Sequence, residues 1–430
     1  MPRKAWLVAV EFKATHKTPG IYLRTDSRPS PAEESLEELA ELVRSRGDEV
    51  IGQTIQAREQ PDGRYFIGSG KLRELAVLVE ETGAEVVVFD HELSPVQVRN
   101  LEEALDRPVL DRAAVILEIF AGRAHSREGK LQVELARLKY LLPRLTGKGT
   151  SLSRLGGGIG TRGPGEKELE FERRRLKARI RELEVRIEAI KQHRGLVRKQ
   201  RARNRVPVVA LVGYTNAGKS TLLKALTGEE AYIDNRLFAT LDPQARGFRT
   251  PCGTEVVLTD TVGFIRKLPH QLVAAFRATL EEVLFADLLV HVVDVSRPGI
   301  ERRIEAVEEV LREIGAANHP TLMVFNKVDL LPVGEVDRLR VEYDGILFIS
   351  ARQYLGLAEL KDAIDDMVGR PREAVRFLIP YHRGDLLGYL HERALVLVRE
   401  NRPDGIGVEV WCDQETINHL KPYMEGETSQ

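Results

Sequence analysis

An apolar run, Val206-Pro-Val-Val-Ala-Leu-Val212, leads directly into Gly213-Tyr-Thr-Asn-Ala-Gly218-Lys219-Ser220. A short apolar run bounded by glycine reads as a strand buried on both faces. The pattern G-x-x-x-x-G-K-[ST] between a strand and a helix describes a loop that cradles phosphate. Its glycines let successive backbone N–H groups turn inward around an anion, and the helix starting near Lys219 aims its positive end at the same point. Lys219 adds charge toward the terminal phosphates, and the Ser220 hydroxyl is placed to ligate Mg²⁺. The candidate contacts are Gly213, Tyr214, Thr215, Asn216, Ala217, Gly218, Lys219, Ser220 and Thr221. The surrounding segment 206–368 alternates strand-like and helix-like runs, which predicts a doubly wound α/β sheet.

Three further patterns follow. Val256-Val-Leu-Thr-Asp260-Thr-Val-Gly263 is an apolar strand ending in a carboxylate, with a glycine three residues on. This fits a metal-side Asp260 and a Gly263 N–H facing a γ phosphate. In Leu322-Met-Val-Phe-Asn326-Lys327-Val-Asp329, the Asp329 carboxylate can accept two hydrogen bonds from guanine N1–H and its exocyclic amine. Adenine lacks that donor pair and would strand a buried carboxylate, at a cost of about 1.5–3 kcal/mol or more. Asn326 and Lys327 would shape and cover the base. Ile346-Leu-Phe-Ile-Ser350-Ala351-Arg352 ends another strand, and the Ala351 N–H is a candidate donor to guanine O6.

The chain has 430 residues and 43% hydrophobic content, enough for two to four domains. With 30% charged residues it is a globular composition. Two distant cysteines, Cys252 and Cys412, match no metal-ligand spacing and suit a reduced, cytoplasmic compartment. Trp6-Leu-Val-Ala-Val10 is too short for a signal peptide and predicts a first strand. No stretch approaches the roughly 18 apolar residues a spanning helix needs.

Residues 1–120 predict a small α/β domain. Trp6–Phe12 and Glu85–Asp90 read as strands, and helical stripes fall at Leu36, Leu39, Leu42, Val43, at Leu72, Leu75, Val79 and at Val98, Leu101, Leu105. Gly68-Ser-Gly-Lys71 is too short for a phosphate loop and reads better as a glycine turn capped by Ser69. A second nucleotide site or an RNA contact by Lys71 and Arg73 stays open. In 121–205, Leu131, Leu135, Leu138, Leu142 and Leu145 alternate spacings of four and three. Leu169, Leu176, Leu183, Ile190 and Val197 recur every seven residues, with Ile180 and Ile187 between. Two heptad helices joined by a loop predict an antiparallel helical hairpin. This segment holds 24 basic and 9 acidic residues, a local charge of +15 in a chain of net charge −1. Such focusing suggests a polyanion-binding face, with Arg173, Arg174, Arg175, Lys177, Arg179 and Arg181 on the second helix; a solvated charged helix is the alternative.

The loop between the two helices contains a literal G-x-G-x-x-G at Gly158, Gly160 and Gly163. No strand precedes it and Pro164 breaks the geometry, so a dinucleotide site is discounted. It reads as a loop for close backbone approach to a partner, with Arg154 and Arg162 near, or as a plain connector. Residues 372–430 predict a tail domain, with strands at Phe377–Pro380 and Ile406–Trp411 and a helix over Asp385–Val396 between them.

The boxes at 213–221, 260–263, 326–329 and 350–352 resemble, in order and spacing, those of the translation-factor-related GTPases. The resemblance implies a Ras-like P-loop G domain over 206–368 that binds and hydrolyses GTP with Mg²⁺. It implies Ser220, Thr240 and Asp260 at the metal, and Lys219, Thr240 and Gly263 at the reacting phosphate. A closer resemblance is to the HflX family, carried by Phe238-Ala-Thr240-Leu-Asp-Pro243, Asp260-Thr-Val-Gly-Phe-Ile-Arg266 and the glycine-rich loop 156–166. The order of the four domains read here, 1–120, 121–205, 206–368 and 372–430, carries the same resemblance. The resemblance implies a monomeric cytoplasmic GTPase that binds the large ribosomal subunit and its RNA, with intact ribosomes a further candidate, and that splits or rescues stalled ribosomes under stress. Peripheral membrane association stays open. A large-subunit assembly GTPase, or a nucleotide-gated adaptor for a protein partner, are the alternatives. Phe264 stands where Ras-like proteins carry a water-orienting Gln, which predicts slow intrinsic turnover; a partner-supplied group can be worth about 10³–10⁵ in rate.

Overall fold

The computed structural model describes residues 2–12, 30–145, 164–203, 206–228, 244–251, 253–265, 282–368 and 372–425. The chain divides into two compact units, one centred on Met1–Arg198, the other on Lys199–Ile233, Pro243–Phe264 and Leu280–Gln430. Cys252, Thr240 and most of the glycine-rich loop lie outside the described residues.

The first unit opens on β1 (Lys4–Phe12), whose middle residues are buried without alternation, as expected of a central parallel strand. It pairs in parallel with β2 (Glu49–Arg58) on one side and β3 (Val86–Phe89) on the other; β4 (Val109–Asp111) completes the order β2-β1-β3-β4. At Gly52 on β2 the Trp6 ring lies where a Cβ would stand, 2.2 Å from its nearest atom, and the indole Nε1 donates to Thr54 Oγ1 at 2.9 Å. Helices α1 (Pro31–Arg46), α2 (Ser69–Thr82) and α3 (Pro95–Leu105) bury the apolar stripes read from the sequence, with Val98 half-buried. Ser30 with Glu33, and Ser94 with Gln97, close capping boxes that set the starts of α1 and α3. The expected Ser69 cap of α2 is absent: Gly68 is the N-cap and makes no side-chain cap bond. Asp111 caps α4 (Arg112–Arg123).

Two further helices, α5 (Arg127–Arg144) and α6 (Pro164–Arg203), share a core of Leu135, Ile180, Leu183 and Ile187, flanked by Leu131, Leu138 and Leu142. In the heptad frame those leucines define, Glu134–Arg179 joins g to g′ at 2.8 Å and Lys139–Glu184 joins e to e′ at 2.8 Å. A parallel coiled coil pairs g with e′, so these contacts identify an antiparallel hairpin. Arg173, Arg174, Arg175, Lys177 and Arg181 are exposed, whereas Arg179 is engaged by Glu134 and Glu182.

The second unit contains a six-stranded sheet in the order β10-β9-β8-β5-β7-β6. Its strands are β5 (Val208–Gly213), β6 (Gln244–Arg249), β7 (Glu255–Asp260), β8 (Leu288–Asp294), β9 (Thr321–Asn326) and β10 (Leu347–Ile349). All pair in parallel except β6 with β7. Helices α7 (Lys219–Thr227), α8 (Ile300–Ile314), α9 (Glu335–Glu342) and α10 (Leu357–Val368) accompany it. This is the expected doubly wound α/β architecture.

The tail is a three-stranded antiparallel sheet ordered β11-β13-β12, from β11 (Arg372–Ile379), β12 (Leu395–Arg402) and β13 (Gly405–Asp413), with α11 (Gly384–Arg393) and α12 (Gln414–Leu420). The helix expected over Asp385–Val396 ends at Arg393. Leu395-Val-Leu-Val398 is drawn into β12, which the Arg402-Pro-Asp-Gly405 turn folds back on β13.

Candidate nucleotide site

β5 ends at Gly213, where φ is 152° and a Cβ would lie 2.2 Å from the Val292 carbonyl oxygen on β8. Gly218 has φ of 95°, and a Cβ there would lie 2.3 Å from Asn326 Nδ2. Glycine is therefore required at both ends of the loop, by conformation and by space. Asn216 between them takes φ of 61°, a region asparagine tolerates. Thr215 and Ala217 are buried; Tyr214, Asn216, Ser220 and Thr221 are half-buried. Gly218 caps α7 without a side-chain bond, so the first-turn N–H groups remain available to an anion.

The Lys219 ammonium is buried and donates to the Gly213 carbonyl at 3.0 Å and the Tyr214 carbonyl at 2.9 Å. Burial draws its pKa down to about 8, with Asp260 opposing. Ser220 Oγ donates to Asp260 Oδ2 at 2.7 Å, at the end of β7. A hydroxyl and a buried carboxylate side by side are hard oxygen donors that suit Mg²⁺. A Cβ at Gly263 would stand 2.8 Å from Thr215 Cα and 3.0 Å from Lys219 Nζ, so only glycine keeps the space in front of the lysine open. Phe264 is buried: its N–H donates to the Gly213 carbonyl at 3.1 Å and its carbonyl accepts from Thr215 N at 2.8 Å. Thr261 Oγ1 donates to the Leu211 carbonyl at 2.7 Å.

On the base side, Asn326 Nδ2 donates to the Ala217 carbonyl at 2.8 Å and Oδ1 accepts from Ala351 N at 3.0 Å. One buried amide thus ties the phosphate loop to the segment after β10. The Ala351 N–H, read as a donor to guanine O6, is engaged here by Asn326, and a base on this edge would compete for it. Asp329 sits in the short 3₁₀ turn Val328–Leu330 and is half-buried rather than buried, because the turn leaves its outer side to solvent. Ser350 is buried and its Oγ accepts from Gln353 N at 3.1 Å, whereas Arg352 is exposed. Thr240 lies outside the described residues.

Sequence reading passed over two residues of β8. Asp294, at its end, accepts Lys327 Nζ at 2.7 Å. His291 is buried between β5 and β9, paired with Val212 and Met323, and burial followed by the charge of Lys219 lowers its pKa to about 4. A signal for Asp294 exists: Leu288-Leu-Val-His-Val-Val-Asp294 is an apolar run ending in a carboxylate, like the run ending in Asp260.

Among the described residues no helix is long and apolar enough to cross a membrane. Three family models match consecutive stretches: the N-terminal region of a GTP-binding GTPase at 33–121, its middle region at 123–201, and a 50S ribosome-binding GTPase at 208–327. GTPase HflX of Caldanaerobacter subterraneus subsp. tengcongensis is 49% identical over 95% of this chain and 95% of its own length. GTPase HflX of Escherichia coli K12 is 48% identical over 77% of this chain and 79% of its own. A crystal structure of a GTP-binding protein from Sulfolobus solfataricus with GDP is 28% identical, covering 85% of this chain and 98% of that one, at a TM-score of 0.41. The chain belongs to the HflX family of GTPases, proteins that bind and hydrolyse GTP.

Proposed function

We propose that this GTPase acts on the large ribosomal subunit, as a nucleotide-controlled factor that splits or rescues stalled ribosomes. The observation that carries the proposal is the basic hairpin: α5 and α6 form an antiparallel pair whose outward arginines suit an RNA backbone. The match of 208–327 to a 50S ribosome-binding GTPase model supports the same partner. A cytoplasmic monomer built of the four domains 1–120, 121–205, 206–368 and 372–430 is part of this reading.

In the site, the N–H groups of the loop 213–218 and of the first turn of α7 bind the phosphates, and Lys219 holds the β and γ phosphates. Ser220 and Asp260, with Thr240, would hold Mg²⁺, which when bound neutralises charge on the phosphates. The Gly263 N–H faces the γ phosphate. Asp329 reads the guanine N1–H and amine, Lys327 covers the base, and Asn326, Ser350, Ala351 and Arg352 frame it. Thr240 and the segment 260–264 change conformation when the γ phosphate leaves. A hairpin bound only in the GTP state would favour separated subunits.

The test is steady-state GTP hydrolysis with and without purified mature large subunits at matched salt, with Lys219→Ala as control, followed by sedimentation of intact ribosomes. Stimulation together with GTP-dependent loss of the intact-ribosome peak supports the proposal. Binding confined to immature large particles would replace it with an assembly role, and absence of GTP-dependent binding to either would point to a protein partner.

A further inference from the structure

We infer that Asp294 is a positioning residue for guanine binding, acting through Lys327. Lys327 follows β9 and takes a left-handed φ of 69°, the conformation from which its side chain reaches across to the end of β8. There Nζ donates to Asp294 Oδ2 at 2.7 Å, in a pair whose side chains are 22% and 7% exposed. Asp294 is itself held: Oδ1 accepts from Ser296 N at 2.9 Å and from Ser296 Oγ at 2.6 Å. Arg303 on α8 binds the Asp294 carbonyl at 3.0 Å, the Pro298 carbonyl at 3.0 Å and the Arg297 carbonyl at 2.6 Å, fixing the loop that follows β8. The backbone closes the arrangement, because Val295 N donates to the Asn326 carbonyl at 3.1 Å.

A lysine stem carries four rotatable bonds, and ordering such a side chain costs free energy unless something holds it beforehand. Asp294 supplies that hold from the end of β8. Lys327 is then pre-set before nucleotide arrives, and the ordering cost falls on folding rather than on binding. In this reading the effect of Asp294 on nucleotide is expressed through Lys327.

This inference rests on the guanine reading of the same pocket. The experiment measures GDP dissociation constants for the full chain carrying Asp294→Ala, Asp294→Asn, Lys327→Ala and the Asp294→Ala/Lys327→Ala pair, with Asp329→Asn alongside. Asp294→Ala is expected to weaken GDP by about tenfold. Asp294→Asn, close in shape and able to accept a hydrogen bond but not to pair in charge, should weaken it by less. The double variant should bind as Lys327→Ala alone does, because Asp294 then has nothing to orient. A general loss of structure would instead make the two single losses multiply, and that outcome, or an Asp294→Ala affinity within twofold of the parent, overturns the inference. Asp329→Asn separates the two levels: unchanged guanine selectivity in that variant overturns the pocket reading, whereas a switch in selectivity with multiplying Asp294 and Lys327 losses overturns only the role of Asp294.

Discussion

In the first unit the parallel strands run out into Asp90 and Asp111; in the second they run out into Asp260 and Asp294. The carboxyl edge of a parallel sheet is where α/β proteins place ligands, yet the two edges are used differently. Asp90 accepts from Arg112 Nη2 at 2.8 Å and from Ser35 Oγ at 2.8 Å, while Arg112 Nη1 reaches Glu38 at 2.9 Å. Asp111 accepts from Ala114 N at 2.9 Å, Tyr140 Oη at 2.8 Å and Arg144 Nη2 at 2.9 Å. Burial and the Asp111 charge push the Tyr140 pKa up, keeping the phenol a donor. The first edge therefore turns inward on itself and bolts α5 to the sheet. The second edge faces a glycine-bounded loop and the start of α7, whose N-cap Gly218 makes no side-chain bond. A strand-end aspartate signals a ligand site only where backbone donors stand unused beside it.

The largest effect expected from this contrast is on stability. Asp90→Ala takes one of two carboxylates from the buried Arg112 charge, leaving Glu38 beside it, and should cost about 3 kcal/mol in urea unfolding, with GDP affinity unaltered. A parallel loss of GDP affinity would break the division between a structural edge and a binding edge.

Acid should act on the second unit through His291. Its folded pKa of about 4 lies below the 6.5 of an unfolded histidine, so between those values the unfolded chain binds more protons and stability falls as pH falls. The contribution lost by pH 4 is roughly 3 kcal/mol. His291→Leu should flatten this part of the pH dependence of urea unfolding; an unchanged slope would show the imidazole to be solvated.

Lys219→Ala removes the cation from the binding edge and should weaken GDP by about a hundredfold or more, while leaving the chain folded. Retained affinity, measured by titration of labelled GDP, would refute the phosphate-loop role. Asp329→Asn should shift preference from guanine toward xanthine nucleotides by about tenfold. Because Asp329 is half-buried here, the smaller end of the range for such a swap is expected, and competition between GDP and XDP reads it directly.

The smallest effect per residue belongs to the hairpin. Changing Arg173, Arg174, Arg175 and Lys177 to Gln should lower ribosome affinity by a few-fold each and reduce the salt slope by about 3. An unchanged slope, measured by cosedimentation across salt, would remove the RNA contact and favour a protein-docking hairpin.

Much of this was legible along the chain. The phosphate loop, the strands ending in Asp260 and Asn326, and the leucine stripes of α1, α2, α3, α5 and α6 are patterns of neighbours at fixed spacing. β2 and β12 were not, since Glu49–Arg58 and Leu395–Arg402 owe their state to the strands they pair with. The orientation of the hairpin became definite only with Glu134 against Arg179 and Lys139 against Glu184.

By itself the sequence determined which residues could cradle phosphate, because glycine spacing, an adjacent lysine and a preceding apolar strand are local requirements. Only the tertiary structure decided that Asp90 serves Arg112, that Asp294 holds Lys327, that Asn326 joins Ala217 to Ala351, and that His291 lies buried in the sheet. Those partners stand 22 to 109 positions apart in the chain, and a carboxylate, amide or imidazole carries no mark of its partner until strand order brings the two within a hydrogen bond.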